Sequence, residues 1–81
     1  MTLVFEKTLK RATEVRSFQI HHQPNGGWQS CETADHGIAR RHHLTDWHHV
    51  ERIVARFNEQ VAVLQNSGWQ EISVENWNTG A

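Results

Sequence analysis

Eighty-one residues suffice for one domain and no more, and a chain of this size buries only about 60% of its unfolded surface, so its core must be economical or supplemented. The single cysteine, Cys31, excludes an intrachain disulfide, and a formal net charge of −1 excludes the strongly basic balance usual in a dedicated nucleic-acid binder. The amino terminus is apolar only over Leu3-Val4-Phe5 before charge appears, too short for a leader or a membrane span, which with the lone cysteine points to a soluble, cytoplasmic protein.

In chain order, residues 1–10 read as an edge strand or a flexible extension, with Leu3 and Phe5 facing inward. Thr13 to His22 contains no helix breaker, and Phe18 and Ile20 share one face of a strand. Pro24-Asn25-Gly26-Gly27 is a turn, because proline fixes φ and Asn-Gly-Gly supplies positive φ. A second strand runs from Trp28 through Cys31 to about Ala34. Asp35-His36-Gly37 is a second turn signal, and Ile38 to Leu44 returns with Ile38, Arg40, His42 and Leu44 on one face.

The strongest signal is a helix over 46–67. Thr45 or Asp46 is placed to cap its first turn. Trp47, Val50, Ile53, Val54, Phe57, Val61 and Leu64 fall within an arc of about 120° at the helical period, while His48, Glu51, Arg52, Ala55 and Glu59 occupy the other side. Gly68 stands where a left-handed residue ends a helix, and Trp69 is then placed to cover Leu64. Ile72 and Val74 alternate with polar neighbours and suggest a final strand. The architecture expected is α+β, in the order β-β-β-α-β: an antiparallel meander of three to five strands packed on one long amphipathic helix, as one domain over 1–81.

The residues offer little catalytic chemistry. Cys31 sits mid-strand with no glycine-rich elbow or helix start beside it to activate the thiol. Asp46 with His49 reads as helix-start chemistry. Gly26, Gly27 and Gly37 form no phosphate-binding pattern. No enzyme and no cofactor is expected. The seven histidines add positive charge below about pH 6.5. A metal site would have to draw one member from each adjacent pair, for example His21, His36 and His43 with Cys31, since neighbours on a strand point to opposite faces. That set lacks the short spacings and cysteine count of structural zinc sites, so no metal is expected.

Charge is distributed unevenly. Residues 1–44 hold six basic against four acidic side chains, and residues 45–81 two against five. Arg40-Arg41-His42-His43, with Arg16 on a neighbouring strand and Arg52 and Arg56 on a helix flank, form a modest basic patch. Of four tryptophans, Trp47 and Trp69 fit the core, which leaves Trp28 and Trp77 as contact candidates, since exposed tryptophan is enriched at interfaces. The 3-4-3-4-3 spacing of Trp47, Val50, Val54, Phe57, Val61 and Leu64 would also suit an antiparallel partner helix.

The order Arg16-Ser17-Phe18-Gln19-Ile20, Gly26-Gly27-Trp28, then a long helix ending Ser67-Gly68-Trp69 resembles WGR-type domains over roughly residues 16–69. That family has antiparallel strands followed by a helix closing near a Gly-aromatic pair, and its members occur in DNA-repair and DNA-end-responsive proteins. After Trp28 this chain reads Gln29-Ser30-Cys31-Glu32, in place of the family's Trp-Gly-Arg strand, so the resemblance carries no functional residue across. It implies the architecture and adds weight to nucleic acid as a ligand. Two expectations follow: a non-catalytic protein-interaction or self-associating domain contacting through Trp28, Trp77 and the helix flank, or a weak nucleic-acid-binding module using Arg16, Arg40, Arg41, Arg52 and Arg56. A histidine metal-binding protein is the third alternative.

Overall fold

A computed structural model describes residues 2–34 and 37–72. Five strands and one helix follow in order: β1 (Thr2–Arg11), β2 (Glu14–His22), β3 (Trp28–Ala34), β4 (Gly37–Leu44), α1 (Trp47–Asn66) and β5 (Gln70–Ile72). The strands form one antiparallel sheet in the order β4-β3-β2-β1-β5. β1 pairs with β2 along its length and with β5 only over residues 8–10, so residues 2–7, among the described residues, form an edge, and the chain reaches β5 only by passing over the sheet as a helix. The expected α+β meander is what the chain adopts. Among the described residues no helix is long and apolar enough to cross a membrane.

Local chemistry sets the element ends. Asp46 takes extended backbone angles and its carboxylate accepts the amide of His48 at 3.1 Å, capping the first turn. At the other end Gly68 has φ +95°; its amide donates to the Gln65 carbonyl, and the amide of Trp69 donates to that of Leu64. This paired closure satisfies carbonyls the helix would otherwise leave open, and it turns Trp69 inward onto the core. Gly27 answers a sharper demand. Its φ is +78°, and a Cβ there would lie 2.6 Å from the carbonyl oxygen of Leu44, so the turn between β2 and β3 tolerates only glycine where it passes the end of β4.

The core lies on one face of the sheet. Leu9, Phe18, Ile20 and Leu44 from the strands meet Val50, Ile53, Phe57 and Val61 from the helix, and Trp69 closes one end. The Phe57 ring centroid is 5.1 Å from that of Phe18 and 5.9 Å from that of Phe5. Of the helical stripe, Val50, Ile53, Phe57 and Val61 are buried against the sheet, Val54 and Leu64 are partly buried, and Trp47 is exposed. Phe5 packs inward as expected, but Leu3 is 48% exposed. Register slips between Leu3 and Phe5, so the two no longer share a face.

The helix crosses its sheet on a diagonal. It begins beside the ends of β3 and β4, where the ring of Trp47 lies 5.5 Å from that of Trp28. It finishes over the opposite end of β1, where Arg11 donates to the Ser67 carbonyl at 3.4 Å and stacks on Trp69 at 4.9 Å. A rod on a diagonal cannot cover the other two corners. One of them, at the far ends of β2, β3 and β4, holds a cavity of about 460 Å³.

Candidate functional site

Strand alternation and the register of β4 on β3 sort the basic residues. Arg40 pairs with Glu32 and His42 with Ser30; Arg41 pairs with Cys31 and His43 with Gln29. The first two pairs lie on the helix side, beside Phe18 and Ile20 of β2, and the second two on the uncovered side. All four side chains from Arg40 to His43 are exposed. β4 is also an outer strand of the sheet, eight residues long, with a bulge at Ala39 that leaves residues 40–44 as its regular stretch. Among the described residues nothing pairs with its outer side, so alternate backbone amides and carbonyls there face outward. Among the described residues the opposite edge is made by β5, Gln70–Ile72, and by residues 2–7 of β1 beyond it.

The helix flank above this corner is fixed by the cavity lining. Glu59, Gln60, Val63 and Leu64 face Arg16, Glu32 and Arg40 across it. Arg56 precedes Gln60 by four residues and Arg52 precedes Arg56 by four, and each step turns about 40° away from the sheet, so Arg56 lies on this flank and Arg52 near the outer side of the helix, both exposed. The sequence-derived arginines thus divide. Arg40 borders the cavity between β4 and the helix. Arg41 shares its edge but points to the uncovered face. Arg16 sits inward on β2, on the floor of the cavity, its guanidinium 5.7 Å over the Phe18 ring.

Several expectations change. Trp28 is half-buried against the core and stacked between His22 and Trp47; it is Trp47, 49% exposed, that presents a ring to solvent. Trp47 occupies the first helical position, at the rim of its stripe, where Trp28 shelters one side of it only. Trp77 and Val74 lie outside the described residues, as does His36, and the side chain of Ile38 is likewise not described. His21 and His43 lie in one row of the uncovered face with Gln29 between them, and half-buried Cys31 lies one row on. Among the described residues no three potential metal ligands converge.

The uncovered face is polar: Thr8 and Ser17 share a hydrogen bond at 3.3 Å, and Gln19 donates to Glu6. Its described residues include no phenylalanine or tryptophan on which a base could stack. Two polar groups on the helix side went unnoticed in the sequence. Glu32 is only 16% exposed, and its nearest cation, Arg40, stands 3.9 Å away. Gln60 buries its Oε1 with no hydrogen-bond partner. Gln60 carried little signal: at the helical period it falls about 20° outside the apolar arc, beyond Ile53, where a polar residue is ordinary. No family model, no curated protein and no solved structure matches this chain.

Proposed function

We propose that this chain is a non-catalytic protein-interaction domain that takes an extended, acidic segment of a partner protein as an added strand along β4. The observation that carries the reading is the coincidence of an open edge, regular over residues 40–44, with an arginine on each of its faces. A strand laid beside β4 gains main-chain hydrogen bonds from the edge, and its alternate side chains meet Arg40 and His42 on one face and Arg41 and His43 on the other. Acidic side chains would complement every one of these groups.

The same arrangement argues against two competitors. A second copy paired through its own β4 would crowd two more arginines onto an edge whose strand carries no carboxylate to offset them. A nucleic acid lying on either face of the sheet would meet only half of the cations, with no stacking platform on the uncovered one.

Fluorescence anisotropy with a labelled peptide alternating glutamate and threonine tests the reading, run beside a lysine–threonine peptide and a single-stranded oligonucleotide over a salt series. The acidic peptide is expected to bind, more weakly as salt rises, and Arg41→Glu is expected to weaken it by about tenfold, on the order of one lost charge pair. The lysine peptide should not bind. Equal binding of both peptides would overturn the proposal, and binding of the oligonucleotide alone would replace it with nucleic-acid recognition.

A further inference from the structure

We infer that the cavity beneath the C-terminal half of α1 is a binding site for a small zwitterion of amino-acid or dipeptide size bearing an aliphatic group. The cavity is about 460 Å³, within the range of small-molecule sites. It exists because the helix runs diagonally and leaves this corner of the sheet bare.

The lining is polar in a particular way. The Oε1 of Gln60 is buried and accepts no hydrogen bond. The Glu32 carboxylate is 16% exposed and has Arg40 only at 3.9 Å, beyond hydrogen-bond reach. Buried acceptors are ordinarily satisfied, and one left open is expensive. An ammonium group seated against Glu32 supplies the close donors that Arg40 does not, and it comes within reach of Gln60 once that side chain turns its buried oxygen into the cavity.

The opposite need is present in the same cavity. Arg16 is half-buried, lies over Phe18, and among the described residues meets no carboxylate at ion-pair distance. Its planar fork suits a carboxylate, which it can hold through two parallel bonds. Arg16 and Arg40 are balanced by Glu32 and Glu59, so a ligand of one sign would satisfy one pair and face the other. A zwitterion matches both. Leu64 and Val63, the latter 64% exposed, supply the apolar wall against which an aliphatic side chain would rest.

The site is separable from the β4 edge, because Arg16 and Gln60 lie off that strand. Glycyl-leucine is titrated into ¹⁵N-labelled protein, following the Gln60 side-chain amide and the Arg16 Nε–H resonances. Saturable shifts are expected with a dissociation constant of about 1 mM. Isoamylamine and 4-methylvalerate, which carry one charged end each, should bind at least about tenfold more weakly. Arg16→Gln should weaken glycyl-leucine by a similar factor while leaving acidic-peptide binding at β4 unchanged. No saturation by about 20 mM, on the weak side of this scale, would overturn the inference, as would equal binding of the amine alone or indifference to Arg16→Gln. The single-ended ligands are tested on the unmodified chain, so the outcome does not depend on how a variant folds.

Discussion

Beneath the middle of α1 and beneath its C-terminal flank the same strands build two different environments. Under the middle, β2 contributes Phe18 and Ile20, β4 contributes Leu44, and the helix answers with Val50, Ile53 and Phe57, all buried. Toward the corner, on the same faces, β2 presents Arg16, β3 Glu32 and β4 Arg40, and the helix answers with Gln60 and Glu59. One region is close-packed and apolar, the other hollow and charged. The difference teaches that coverage by the helix, rather than membership of a strand, decides which residues become core. In so short a chain the apolar side chains are concentrated on one diagonal, and the corner beside it is left to polar groups.

Substitutions in the two regions should therefore differ in size and even in sign. Phe57→Ala removes the ring that meets both Phe5 and Phe18. It is expected to cost about 3–5 kcal/mol, out of a total that for this length is on the order of 4–12 kcal/mol, and urea denaturation would read it. Gly27→Ala comes next, at about 1–3 kcal/mol, since the residue combines positive φ with a Cβ position 2.6 Å from the Leu44 oxygen; a shift in thermal midpoint would show it. Asp46→Ala removes the cap on His48 and should cost about 1 kcal/mol, with asparagine in its place restoring most of the loss. Gln60→Leu, in the corner, should stabilise by about 1 kcal/mol, because it deletes a buried acceptor that has no donor. A loss of stability there comparable to that of Phe57→Ala would erase the distinction between the two regions.

Much of the packed region was legible in the residues. The cap at Asp46, the stop at Gly68-Trp69 and the periodic stripe between them define the helix within a residue at either end, because capping and amphipathic period are local properties. The turn residues at 24–27 placed the hairpin between β2 and β3 for the same reason. What was not legible depends on three-dimensional arrangement. The slip between Leu3 and Phe5 reverses the face on which Leu3 lies, and nothing in an alternating run announces a bulge. Trp47 belongs to the apolar stripe by angle, yet it stands at the helix end where the sheet runs out. The basic patch read as one surface because its residues are close in the chain; strand alternation divides it between two faces of an edge. The cavity follows from the crossing angle of α1 on the sheet, which no single segment encodes, and Gln60, just outside the apolar arc, did not mark the place.

The account rests most directly on β4 being an open edge that an acidic strand completes. Site-resolved amide hydrogen exchange, with and without the glutamate–threonine peptide, measures this. In the free chain, alternate amides of residues 40–44 should exchange freely while their neighbours, bonded to β3, are slow; with the peptide bound, the fast set should become slow as well. Uniform protection along β4 in the free chain, or fast exchange that persists once the peptide is bound, would contradict it.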